Sequence, residues 1–398
     1  MTTIRLRAFL VVGFASLSLG APAWAQDNED GDRTNTVVQP YIEVNQVVTA
    51  ELTPGDEVLT FTQIASGVDA SVVGRNSAAS VSVRYERNIG YGDALDTDTV
   101  SGIARGSLAI VPRALTFEAG GLASRTRIDG GGGVSSNPLV AEDATSEIYS
   151  VYAGPSLATR AGALDLTASA FIGYNRIEDN DAIIDAEGDP LDVFDESVTY
   201  LGQVRAGTRA GDALPVGVGV GAGAFQEDID NLDQRVRDLY VRGDVTVPVS
   251  DSLALVGGIG YEDIEVSSRD ALRDENGDPV ISDDGRFVTD ENSPRQIAFD
   301  VDGLIWDVGV QWRPSRRTSL TATVGKRYDS TTYYGNFSHV PDSRSAFAIN
   351  VYDGLTGFGG ALTNSLSGVS ADFSASRNAL TGDFTGLVTG DDGATGLG

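Results

Sequence analysis

The chain contains a single histidine, His339, in the stretch FSHVPD. A Ser–His–acid hydrolase would have to use it, and the nearby serines, Ser338 and Ser343, lie too close along the chain to be obvious partners. No G-x-S-x-G nucleophile elbow stands out, and that motif belongs to a strand-turn-helix setting. His339 therefore reads as a residue beside a turn. Carboxylate pairs are abundant among the 57 acidic residues, and abundance removes their specificity as acid–base sets. No catalytic residue is assigned, and the chain is not expected to be an enzyme. The related hexapeptides DENGDP (274–279) and DAEGDP (185–190) offer clustered oxygens to a divalent cation. Neither has the residue order of an EF-hand loop, and Asp, Asn, Gly and Pro are also the ordinary turn-makers. The run IDGGGGV (128–134) lacks a following helix or lysine, so it reads as a loop tip rather than a phosphate loop. No metal site and no cofactor are expected.

The charged residues that remain are arginines and carboxylates on alternating rows, and the rows identify the elements that carry them. In LDLTASAFIGYN, one row is Leu164, Leu166, Ala168, Ala170, Ile172 and Tyr174; the other is Asp165, Thr167, Ser169, Phe171, Gly173 and Asn175. A two-residue period with one apolar and one polar face is a strand, about twice the usual length for a soluble domain. The pattern recurs. Ala79, Val81, Val83 and Tyr85 alternate with Ser80, Ser82, Arg84 and Glu86. Val216, Val218, Val220, Ala222 and Ala224 alternate with a row of glycines. Leu304, Trp306, Val308, Val310 and Trp312 alternate with Ile305, Asp307, Gly309, Gln311 and Arg313. About 15 such runs lie between Val37 and Asp353, without a convincing amphipathic helix, which makes the fold class all-β.

Residues 1–25 read as a signal peptide: Arg5 and Arg7, a short apolar core, then APAWA before Gln26. Residues 26–36 are then a short periplasmic segment. No later window is apolar enough for a spanning helix. The absence of cysteine excludes disulfides and thiolate metal sites, and a formal charge of −29 speaks against nucleic acid as a partner.

The joints between strands sort by parity. Even-to-odd joints are short (GRNSA, VPRA, TRAG, AGDAL, PVSDS, RPSRR, VPDSR), whereas the long ones, near 129–145, 178–196 and 265–294, are all odd-to-even. A soluble sandwich has no reason to sort its loops this way; an outer-membrane barrel, with short periplasmic turns and long outer loops, does. Twelve residues at about 3.3 Å, tilted near 45°, rise roughly 28 Å, enough to cross an apolar band about 25 Å tall. The chain thus predicts an up-and-down antiparallel transmembrane β-barrel over 37–353, of about 16 or more strands if complete, located in the outer membrane. The 178–196 loop carries nine carboxylates and no basic residue, while the short turns carry Arg75, Arg113, Arg160, Arg313, Arg316, Arg317 and Arg344.

On this register Glu43, Arg84, Glu86, Arg105, Glu118, Asp165, Arg205, Arg242, Asp244 and Asp307 line the lumen. Tyr174, Trp306 and Trp312 are expected at the lipid interface. Arg87, on an apolar row, is expected to snorkel to headgroups, and Phe171, on a polar row, marks either a constriction of the lumen or a less regular local register. Beyond Gly354 the chain turns rich in Gly, Ser, Thr and Asp, with eleven glycines in its last 45 residues, and reads as a loop or an incomplete end of the barrel.

The stretch WDVGVQWRPSRRTSLTATVGKRYDSTTYYGNFSHVPDSRSAFAINVYD (306–353) is similar to a beta-barrel porin family of Gram-negative outer membranes, with relatives in exopolysaccharide secretion. PYIEVNQVVTAEL and LTFTQIASGVDASV also resemble that family's start. The resemblance implies a porin-like channel for small solutes, or else the barrel of an exopolysaccharide export system. It also implies further strands beyond this chain's end, and brings no catalytic residues. An outer-membrane scaffold for an adhesin or enzyme is a third reading. The implied partners are outer-membrane lipid, the barrel assembly machinery, and small solutes or polysaccharide.

Overall fold

The computed structural model describes residues 9–11, 14–20, 35–51, 58–92, 96–128, 134–135, 145–179, 196–282, 286–342, 345–351, 353–371, 373–377, 384–390 and 393–396. Fifteen strands follow one another as a single antiparallel meander. They are β1 (Asn35–Glu51), β2 (Val58–Val73), β3 (Ser77–Tyr91), β4 (Thr97–Val111) and β5 (Leu115–Ile128). Next come β6 (Thr145–Ala161), β7 (Leu164–Asp179), β8 (Glu196–Thr208), β9 (Gly217–Ile229) and β10 (Gln234–Ser250). The last are β11 (Leu253–Ser268), β12 (Gln296–Ser315), β13 (Thr318–Arg327), β14 (Ser330–Asp342) and β15 (Ser345–Val351). Two short strands from the expected leader, Phe9–Val11 and Phe14–Gly20, pair with the other edge of β1.

The joints obey the predicted parity. Residues 74–76, 112–114, 162–163, 251–252 and 316–317 close even-to-odd pairs, and 129–144, 180–195 and 269–295 separate odd-to-even ones. At the β6–β7 joint Gly162 adopts φ +62°, a left-handed conformation that a side chain would strain. The expected hexapeptide DAEGDP (185–190) and most of the 128–134 glycine run lie outside the described residues.

Burial is inverted relative to a soluble protein. Leu304 is 69% exposed and Ile259 63%, while Glu227 is 0% exposed and Glu262 2%. Along β3 the buried residues are Ser80, Ser82, Arg84 and Glu86, and Val83, Tyr85 and Ile89 face out. The apolar row of every strand thus forms an outer sleeve, and the polar row faces the interior. The sheet curls enough that Ser156 of β6 and Tyr334 of β14 line one common cavity.

The tail, expected as a loop or an incomplete end of the barrel, holds regular elements in its described residues. Phe358–Gly368 forms a helix, α1, and Phe373–Arg377 a short strand, β16, which pairs with β17 (Phe384–Gly390). Eleven residues including three glycines are too few and too weak to hold a helix alone. Packing supplies what propensity does not: Gly359, Gly360, Thr363 and Leu366 recur at helical spacing and are buried inside the barrel.

Candidate functional site

The interior has two parts, a plug and a charged wall. Glu227, from the outer half of β9, meets the N-terminus of α1. Its Oε1 accepts from the Gly359 amide at 2.9 Å and its Oε2 from the Gly360 amide at 3.0 Å. At the other end, Arg105 Nη1 of β4 donates to the Leu366 carbonyl at 3.3 Å. A carboxylate at the helix start and a guanidinium at its end both match the helix dipole. Close approach requires glycine on both partners. A methyl at Gly359 would overlap Ser197 and Asn175, and one at Gly173 of β7 would overlap Thr363. Leu366, Val369 and Phe373 then pack with Ile103 and Tyr152 in a buried cluster, with Phe171 against it. Arg377 Nη1 reaches Ser101 Oγ at 2.5 Å, so the plug crosses from β9 to β4.

The wall lies over β8–β12 and is built from a repeated unit. Arg205 of β8 leans across β9 to Asp244 of β10, with Nε and Nη2 at 3.1 and 2.5 Å from its oxygens. Arg242 of β10 leans across β11 to Asp307 of β12, both contacts at 2.7 Å. The two rungs share a link, Arg242 to Asp244, at 3.8 Å. In each rung the strand being crossed presents a glycine at the level of the carboxylate: Gly219 pairs with Asp244, and Gly258 lies between Asp244 and Asp307. A methyl at Gly219 would overlap the Arg205 guanidinium, and one at Gly258 that of Arg242. The inward glycine row is thus the floor over which planar guanidinium groups reach bidentate partners.

The other residues expected in the lumen lie on the inward rows. Arg84 pairs with Glu43 at 2.6 Å and with Glu86 at 3.1 Å, again crossing β2 near Gly67. Arg105 pairs with Glu118 at 2.6 Å, and Glu118 also accepts from Ser156 at 2.8 Å. Asp165 sits at the short-turn rim, accepting from Arg209 at 2.7 Å. Sequence patterning did not single out Arg327, Glu262 or Asp238, yet Arg327 joins them at 2.8 and 3.1 Å. Glu227 was missed as well; its signal was a lone acid on the glycine-rich inward row of β9.

Phe171 does face inward, edge-on to Tyr152 with ring centroids 5.9 Å apart, but it packs against the plug instead of narrowing an open pore. Trp306, Trp312 and Tyr174 are exposed on the outer face. Arg87, expected to snorkel, is instead paired with Asp96 at 3.1 Å and Asp98 at 3.3 Å. His339 Nδ1 lies 2.8 Å from Thr318 Oγ1, and the ring stacks on Phe337.

At the outer end, Asp233 binds Arg269 at 2.7 Å and Arg295 at 2.5 Å, pinning both ends of the 269–295 loop. Burial pushes the Asp233 carboxyl up, but the bonds and charges of the two arginines outweigh it and hold it below its ordinary value. In DENGDP, Asp274 accepts from the Asp278 and Asn276 amides, which lowers its carboxyl in the same direction and spends its oxygens on a turn. Among the described residues no cluster of His, Asp and Glu has metal-binding geometry.

No family model matches the chain, and no curated protein matches it either. Among solved structures it is similar to the in-vitro folded OmpT, an outer membrane protein of Vibrio cholerae. That match has 13% identity and a TM-score of 0.30, covering 86% of this chain and 94% of that one. It is also similar to the siderophore receptor PirA from Acinetobacter baumannii, at 11% identity and a TM-score of 0.34, covering 86% and 57%.

Proposed function

We propose that this chain is an outer-membrane β-barrel that works as a porin-like channel, its lumen narrowed by its own α1–β16 segment. The observation that carries the reading is the inverted polarity of the strands. An outer sleeve bearing Leu304, Ile259, Val220 and Trp306 would be an aggregation surface in water, and it is the face that lipid requires. An inner face of paired arginines and carboxylates is what a wet lumen tolerates. Passage would be passive, filtered by width and by the field of the interior charges.

Planar-bilayer recording of the refolded full chain tests this. Stepwise conductance is expected, with a larger unit step after deletion of residues 357–377. A protein that stays soluble and monomeric without detergent would sink the membrane reading. A silent barrel whose loss abolishes exopolysaccharide would replace the channel with an export role.

A further inference from the structure

Toward the short-turn end the interior holds a cavity of about 940 Å³, within the roughly 300–1,000 Å³ typical of small-molecule sites. One side of it is the Arg205–Asp244–Arg242–Asp307 wall. The charges of this wall cancel two against two, and each guanidinium already holds a carboxylate through two nitrogens. An anion entering here would have to take an arginine from its aspartate. At the wall a cation would have to do the reverse; of the other charges in the lining, Arg327 is held by Glu262 and Asp238, and Asp353 stands outside both rungs. Either exchange leaves one charge without its partner in a half-enclosed space, the costly outcome for such pairs. A neutral solute leaves both rungs intact and can still use the outward lone pairs of the aspartates.

The rest of the lining suits such a solute. Gln203, Gln311, Thr321 and Thr323 bring amides and hydroxyls, groups that both donate and accept. Tyr334 lies on the inward row of β14, level with Thr323, and is about half exposed, so its ring face is open to the C–H face of a sugar-like ring. Gly219 and Gly258 give the arginines a low path across the strands, and the pairs are formed without any solute.

We infer that this cavity is a binding site for neutral, hydroxyl-rich solutes of mono- to trisaccharide size, and that the self-paired wall discriminates against ions of the same size. The inference rests on the channel reading above.

The test uses the full chain in liposomes, with osmotic swelling in glucose, gluconate and glucosamine, which share size and differ in charge. In parallel, raffinose binding to the detergent-solubilised chain is measured by titration calorimetry. Glucose is expected to enter at least about fivefold faster than either charged compound, and raffinose to bind saturably. Asp307→Asn should raise gluconate entry several-fold by leaving Arg242 only its 3.8 Å link to Asp244, and Arg242→Gln should do the same for glucosamine by leaving Asp307 without its arginine. The double variant, neutral again, should regain the preference for glucose, which separates charge from misfolding. Equal entry of all three compounds overturns the site and leaves the channel standing. Saturable raffinose binding without any swelling overturns the channel and keeps the site. Neither swelling nor binding overturns both.

Discussion

The two sides of the interior obey the same two-residue period and are filled in opposite ways. On β4–β7 the inward row carries Ile103, Tyr152 and Phe171, which bury Leu366, Val369 and Phe373 of the plug. On β8–β12 it carries glycines, arginines and aspartates that face a cavity. The inward row therefore records what each strand meets: bulky apolar groups where the chain folds back on itself, and glycine-floored ion pairs where the space stays open. Glu227 marks the border between the two. Its two bonds from the Gly359 and Gly360 amides are charge-assisted, and such bonds contribute about 1.5–3 kcal/mol each. Glu227→Ala should cost on the order of 3 kcal/mol of docking, seen as lost hydrogen-exchange protection at Gly359 and Gly360 and a larger unit conductance. Glu227→Gln, which still offers one acceptor, should fall between. Unchanged protection in Glu227→Ala would erase the distinction between the two sides.

The charged side can be broken at its floor. Gly258→Val drives a branched side chain into the Arg242 guanidinium, and overpacking of this kind costs about 1–3 kcal/mol. The midpoint of unfolding in urea should drop accordingly. Gly243 lies on the outward row of β10, and a methyl added there would meet no heavy atom of a neighbouring strand closer than 3.8 Å, so Gly243→Ala should be nearly neutral. If the glycine exists to let the arginine pass, Gly258→Val should cost little more once Arg242 is already alanine. Additive losses would show that Gly258 serves something other than the rung.

Much of this was legible beforehand, for reasons that differ by residue. Leu304, Trp306 and Val308 alternate so regularly that strand, facing and outer sleeve follow from spacing alone. The loop parity came from counting residues between such runs. Arg205 and Asp244 could each be set on the inward row, but choosing them as partners needs the register of three strands, which no local pattern contains. Gly219 and Gly258 read simply as weak strand residues, because the group each makes room for comes from a neighbouring strand. The helix α1 was illegible for a related cause: FGGALTNSLSG lacks helix-forming propensity, and what holds it is Glu227, more than a hundred residues away. Arg87 showed the limit of the single-row reading, since its partners Asp96 and Asp98 lie across a joint.

The ion pairs at the outer rim carry a pH signature of their own. Asp233 is held below its ordinary carboxyl value in the folded chain by Arg269 and Arg295. A depressed folded value means that its contribution is fully present above the unfolded carboxyl value, about 3.9, and fades as pH falls through the lower folded one. Protease cleavage within 269–295 should therefore be slow at pH 7 and accelerate as the buffer is taken down from about pH 4. Asp233→Asn should remove this pH dependence. Loop cleavage that ignores pH down to about 3 would deny Asp233 its role.

The smallest effect belongs to Arg87. Its side chain is 40% exposed, and Asp96 and Asp98 are more exposed still, so water screens both pairs. Exposed pairs of this sort contribute about 0–1 kcal/mol, and salt weakens them further. Arg87→Ala should change unfolding stability by less than about 1 kcal/mol, with the difference vanishing in molar salt. Arg242→Ala, on the inward row of its own strand, should cost more and lose a smaller share of that cost to salt, because Asp307 is left facing a half-enclosed space. If the two substitutions proved equal in size and in salt dependence, the rungs would be no more than surface pairs turned inward. The contrast between a self-paired wall and an ordinary rim would then fail at its simplest point.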